Sequence, residues 1–195
     1  MTIYDLQSVQ RVMASFPATW FIVGGWAIDL YVGGKTRKHS DVDIGILRGN
    51  QQQLFEHLSG WDCYSVKQGQ LLRWNGEYLE MPIHEIHAMK KEEGMRLEFL
   101  LNEEQANDWC FRRKTDIKLS LDQVWGYSDM NIPFLQPEIV LLYKMKNTKE
   151  KDSVDFETVL PYLPMGKMQW LLAAMKRLHP THPWVKIVQN RVKCC

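Results

Sequence analysis

The 195 residues carry 24 Lys and Arg against 23 Asp and Glu, a formal net charge of +1, so there is no bulk basic field to hold nucleic acid. No apolar run approaches the roughly 18 residues of a membrane span, and the opening MTIYDLQSVQRVMASF lacks the basic and apolar regions of a secretory signal. The length suits one large domain or two small ones, and Cys63, Cys110, Cys194 and Cys195, with no Cys-x-x-Cys spacing, are expected as free thiols in a cytoplasmic protein.

Ile3, Leu6, Val9, Val12 and Met13 recur at helical spacing and predict an amphipathic helix over 3–15. Trp20 to Val23 reads as a short buried strand entering a Gly24-Gly25 turn, and Trp26 to Val32 as a helix ended by Gly33-Gly34. Residues 35–40 form a polar loop. Asp41 to Leu47 is a strand, and Asn50 is the expected N-cap of a helix through Leu58. Extended runs follow near 61–66, 70–74, 83–89, 96–101, 108–113 and 131–135. After Pro137 the pattern becomes helical, over 138–146, 152–162, 167–178 and 184–192. The fold class is α+β: a mixed β-sheet carrying helices over residues 1–135, then a C-terminal helical half over 136–195.

The richest segment is GGWAIDLYVGGKTRKHSDVDIGI, Gly24 to Ile46. From Asp41 to Ile46 polar and apolar residues alternate, the period of a strand with one buried face. Asp41 and Asp43 therefore point to the same side with stems about 7 Å apart. Two carboxylates so placed converge on a hard cation such as Mg²⁺. A Gly-Gly turn lets backbone N–H groups approach a phosphate. Together they suggest Mg²⁺-dependent chemistry on a nucleotide.

These residues resemble the nucleotidyltransferase superfamily and, within it, the small aminoglycoside and lincosamide nucleotidyltransferases. Gly24 to Ala27, Asp29, Leu30, Thr36, Arg37, His39, Asp41 and Asp43 match the closer family's pattern. Downstream, Asp108 to Arg113 resembles its W-x-(F/Y)-R-R strand, Pro137 to Lys144 its helix, and Lys151-Asp152 with Asp155-Phe156, then His179-Pro180 and His182-Pro183-Trp184, its closing motifs.

The resemblance implies transfer of a nucleoside monophosphate, AMP from ATP, to a hydroxyl of a small molecule such as an aminoglycoside or lincosamide. It implies two Mg²⁺ ions and a nucleoside triphosphate co-substrate. Two metals need about three carboxylates; Asp41 and Asp43 supply two, and Glu98, which interrupts the apolar RLEFLL, is the candidate third ligand or general base. His84 and His87 are its rivals. Gly24, Gly25, Arg37, Ser40 and Lys144 are the candidate phosphate contacts. Arg112-Arg113-Lys114 is a basic cluster that either closes the phosphate side or simply ends a strand, the second being favoured, and Lys146, Lys149 and Lys151 read as a solvated charge run. Trp20, Trp26 and Trp109 read as core; Trp74 or Trp125 is a candidate stacking surface for a base or sugar. Residues 77–104 hold eight glutamates against three basic residues, an acidic wall that would suit a cationic acceptor. The alternatives are a nucleotidyltransferase acting on tRNA or protein, and a non-catalytic nucleotide-binding module. Near-neutral charge disfavours tRNA, and intact paired carboxylates disfavour the pure binder. The acceptor, the nucleobase and the oligomeric state are not legible in the sequence.

Overall fold

The computed structural model describes residues 6–193. Residues 3–5 of the expected first helix and the Cys194-Cys195 pair lie outside the described residues. In chain order the elements begin α1 (Leu6–Met13), β1 (Trp20–Ile22), α2 (Gly24–Val32), β2 (Asp43–Leu47) and α3 (Gln51–His57). Eight strands follow: β3 (Asp62–Lys67), β4 (Gln70–Arg73), β5 (Glu85–Lys90), β6 (Met95–Gln105), β7 (Asp108–Cys110), β8 (Lys118–Ser120), β9 (Trp125–Tyr127) and β10 (Pro133–Leu135). Four helices close the chain: α4 (Pro137–Lys144), α5 (Glu150–Val159), α6 (Met165–Leu178) and α7 (Pro183–Lys193).

The strands form one mixed sheet in the order β4-β3-β5-β6-β2-β1-β10-β9, with β7 and β8 extending from the far end of β6. β2 runs parallel to β6, with Asp43 opposite Glu98, and β5 runs antiparallel to β6, with His87 opposite Glu98. The apolar alternation of these strands buries Ile44, Ile46, Ile86, Ala88, Phe99 and Leu101 on the intervening positions. That phase leaves Asp43, Glu98 and His87 in one row across three strands. α2 packs on α4, α5 and β10, and α6 bridges α4 and α7. A parallel stack of Phe156 on Trp184, 4.3 Å between centroids, fastens α5 to α7.

The structure departs from the sequence reading in particular places. The strand holding the Asp-x-Asp pair starts at Asp43, so Asp41 lies just before it. The second helix begins directly at Gly24, with no side-chain cap. Asn50 makes no capping hydrogen bond; a 3₁₀ turn over Arg48–Asn50 leads into α3 instead. β8 and β9, three residues each, were too short to carry a period. Trp74 is only 1% exposed, edge-on to Phe55 at 5.2 Å, and donates its indole N–H to the Glu77 carbonyl. Trp125 stacks on Phe21 at 5.8 Å. Both belong to the packing rather than to an open stacking surface. Trp109 is fully buried as expected, while Trp20 and Trp26 are partly buried against the core. Cys63 and Cys110 are free and buried. No helix among the described residues is long and apolar enough to cross a membrane.

Candidate active site

β1 hands the chain to α2 through Val23, whose N–H bonds the Asp43 carbonyl at 3.0 Å. This fixes the helix start against the first residue of β2. Gly24 has φ +67°, and a Cβ there would lie 3.2 Å from Asp43 Oδ2. At Gly25 a Cβ would fall 2.1 Å from Arg37 Nη2 and 2.8 Å from the His39 ring. The glycines thus let a carboxylate and the 35–40 loop press onto the helix start. Because α2 has no side-chain cap, its first-turn N–H groups remain available, at the positive end of the helix dipole.

Asp29, buried on α2, explains the spacing of the motif. Its Oδ1 accepts from the Thr36 amide at 3.2 Å and the Thr36 hydroxyl at 2.5 Å, and its Oδ2 meets His39 Nε2 at 2.6 Å. The His39 ring lies 4.5 Å from Trp26. One carboxylate therefore folds the loop back over Gly25 and delivers Ser40 and Asp41 to the helix start. The Ser40 hydroxyl donates to exposed Asp41 at 3.0 Å. A small pocket of about 80 Å³ results, bordered by Gly24, Gly25, Arg37, Ser40, Asp41, Asp43 and Lys144.

Burial, then the charges of Asp41, Glu98 and Glu85, push the Asp43 carboxyl up to about 7, with Lys151 opposing. Glu98 accepts from Arg96 Nη2 at 2.7 Å and lies 3.9 Å from His87 Nε2. The same Arg96 nitrogen contacts His87 Nδ1 at 3.0 Å, while His87 Nε2 is 2.5 Å from Glu85. Arg96 can only donate, so the network assigns the imidazole proton to Nε2. Glu85, His87 and Glu98 bring ligand atoms within 4.8 Å of one another. His84 stands one position out of phase, just before β5, with Nδ1 2.9 Å from the Pro82 carbonyl. On a strand, residues three apart face opposite sides, so only His87 joins this row.

Arg37 and Lys144 border the pocket, but their charges are engaged. Arg37 grips fully buried Asp155 with two bonds, 2.7 and 2.8 Å, and Lys144 reaches Asp152 at 2.5 Å and Asp155 at 2.9 Å. Against its burial, Arg37 and Lys144 hold the Asp155 carboxyl down. This cluster ties the 35–40 loop and α4 to α5.

A larger cleft of about 360 Å³ adjoins this pocket at Gly24, Asp43, Lys144 and Lys151. Arg112, Arg113, Lys146, Lys149 and Lys151 line it, together with Gly24, Asp43 and Lys144. Sequence reasoning favoured a solvated run for the three lysines and a strand end for Arg112-Arg113, over closure of the phosphate side. A signal was present: Arg112-Arg113 has no acidic residue within two positions on either side to serve as a local partner. The acidic wall, in contrast, disperses: Glu103 grips Arg48, Glu77 caps the Asn75 amide and Glu93 pairs with Lys90. Glu85 and Glu98 remain beside Asp43.

Known proteins of this shape include the lincosamide adenylyltransferase LnuA in its lincomycin-bound form, at TM-score 0.58 and 17% identity over 84% of this chain and 100% of that one. The solution structure of the antibiotic-resistance factor ANT(2'')-Ia matches at TM-score 0.58 and 14% identity, over 88% of this chain and 89% of that one. At these identities the likeness speaks for the fold. A search of curated protein sequences gave no match. The family model for aminoglycoside-2''-adenylyltransferase matches residues 5–158. With the Gly-Gly, Asp-x-Asp block and the sheet beneath it inside that match, the chain belongs to the aminoglycoside-2''-adenylyltransferase family of nucleotidyltransferases.

Proposed function

We propose that the chain transfers AMP from ATP to a hydroxyl of an aminoglycoside-type amino sugar, with Mg²⁺ held by Asp41, Asp43 and Glu98. The observation that carries this is the crowding of carboxylates beside an uncapped helix start, with Asp43 pushed up to about 7 by burial and its acidic neighbours. An all-oxygen donor set of this kind fits a hard divalent cation. Two such ions would neutralise the triphosphate.

The chain's own groups supply the rest. The first-turn amides of α2 and the Ser40 hydroxyl meet phosphate oxygens in the small pocket. Arg37 and Lys144 border those oxygens, positioned by Asp155. Glu98 takes the proton of the attacking hydroxyl. Cations line the larger cleft, while Glu85 and Glu98 crowd Asp43. The cations favour phosphates, and the spare carboxylates favour a cationic acceptor.

The deciding experiment is pyrophosphate release from ATP and Mg²⁺ with a panel of aminoglycosides and lincosamides. Release should depend on a hydroxylated amino sugar and vanish in Asp41→Asn and Asp43→Asn. Turnover within about threefold of wild type in either variant sinks the assignment, since loss of a metal ligand removes several kcal/mol of transition-state stabilisation.

A further inference from the structure

Arg112 and Arg113 follow β7 at the wall of the larger cleft, and among the described residues neither pairs with a carboxylate. Arg37, Arg48, Arg73, Arg96 and Arg177 each do. Instead both guanidinium groups lie on the Tyr143 ring, 5.4 and 5.3 Å from its centroid. Arg113 also donates to the Tyr143 carbonyl at 2.9 Å. Tyr143 is partly buried against the core and desolvation pushes its phenol up to about 12, so the ring is a neutral platform and supplies no counter-charge. Desolvation and the neighbouring Arg112 push the Arg113 guanidinium down. Arg113 is exposed and Arg112 half-buried, so water screens part of their repulsion, and the two present unpaired positive charge to the cleft. Lys146, Lys149 and Lys151 turn the same cleft more positive, and it reaches Gly24 and Asp43.

We infer that Arg112 and Arg113 form the binding site for the departing pyrophosphate, a role that rests on the nucleotidyl-transfer reading above. In that reaction the acceptor oxygen bonds to the α-phosphorus and its proton passes to Glu98. The bond from the α-phosphorus to the oxygen bridging to the β-phosphate breaks, and its electron pair leaves on pyrophosphate. Charge therefore builds on the β- and γ-phosphates as that bond breaks. Guanidinium forks pair two oxygens at once, and fixed cations at that place favour the transition state over the bound triphosphate. Beside Asn102, Asn147 and several apolar side chains, the cleft holds six cations against Asp43 and Asp152, a balance that favours a polyanion. Pyrophosphate is the most highly charged of the products, and it matches.

The test measures inhibition of the forward reaction by magnesium pyrophosphate and, separately, by AMP. In Arg112→Ala the inhibition constant for pyrophosphate should rise about tenfold or more, the scale of one lost charge-assisted contact. That for AMP and the KM of the acceptor should stay within about twofold. Arg113→Ala should do the same, and Arg112→Lys should recover part of the loss. A merely structural role would weaken pyrophosphate, AMP and acceptor together. Arg112→Ala with unchanged pyrophosphate inhibition and wild-type turnover overturns this assignment and leaves nucleotidyl transfer standing. A wild-type protein that binds neither pyrophosphate nor AMP and transfers no nucleotide overturns both.

Discussion

Asp43→Asn separates the two demands placed on this carboxylate. In the folded chain its carboxyl rises from 3.8 to about 7, chiefly through burial and then through Asp41, Glu98 and Glu85. Below about pH 4 both folded and unfolded chains hold the proton and Asp43 contributes nothing to the pH dependence. Between about pH 4 and 7 the unfolded chain releases it while the folded chain keeps it, so stability falls as pH rises. Above about pH 7 the full cost is present. At 1.36 kcal/mol per pKa unit the shift corresponds to roughly 4 kcal/mol; residual solvent contact brings the effective cost to about 1–3 kcal/mol. At about 2–4 °C per kcal/mol for a chain of this size, Asp43→Asn should melt several degrees above wild type near pH 8 in chelator. The two should coincide near pH 4. Mg²⁺ should then stabilise wild type near pH 8 and leave the variant unmoved, because bound cation removes the charge penalty only where the carboxylate exists. Differential scanning calorimetry across this range, with and without Mg²⁺, measures each difference. Parallel melting curves of the two proteins from pH 4 to 8, or equal stabilisation by Mg²⁺, refute the reasoning. Turnover by the variant should be lost throughout, whatever its stability.

Asp155→Ala removes the fully buried carboxylate shared by Arg37 and Lys144; it should cost roughly 3–5 kcal/mol in urea unfolding, and a cost under about 1 kcal/mol would contradict the network described. Gly25→Ala drives a methyl group into Arg37 and His39; turnover should fall about 10²-fold, the scale for displacing a site by an ångström, and an unimpaired variant would show that the close packing over Gly25 is dispensable. Glu98→Gln keeps the size of the side chain and its bond to Arg96 while losing the proton acceptor; kcat should drop roughly 10²-fold with little change in melting temperature, and a drop under about threefold would hand the base role to His87.

What the sequence disclosed, and what it concealed, follows from the range of the interactions. The block from Gly24 to Asp43 is legible because Asp29, Thr36 and His39 close on one another within ten residues, so the spacing itself records the contact. The strand phase of β2 and β6 is legible because burial imposes a period of two, and that phase is what sets Asp43 beside Glu98. The third carboxylate needed the family resemblance as well, since nothing local says which strand lies beside which. Charged partners leave no period. Arg37 finds Asp155 across 118 residues, and before that pairing is known its guanidinium looks free for phosphate. The glutamates of 77–104 look like one wall because composition carries no direction; the fold sends Glu103 to Arg48 and Glu77 to a turn. Arg112 and Arg113 show the converse. In the sequence the end of a strand was their favoured reading, and only the placement of Tyr143 beneath them, with Asp152 of the same cleft already engaged by Lys144, makes them a surplus of positive charge. In this chain, then, the placing of Asp43 beside Glu98, the pair proposed to hold metal, is written in the strand alternation. The cations proposed to meet the phosphates are set by what the tertiary fold leaves unpaired.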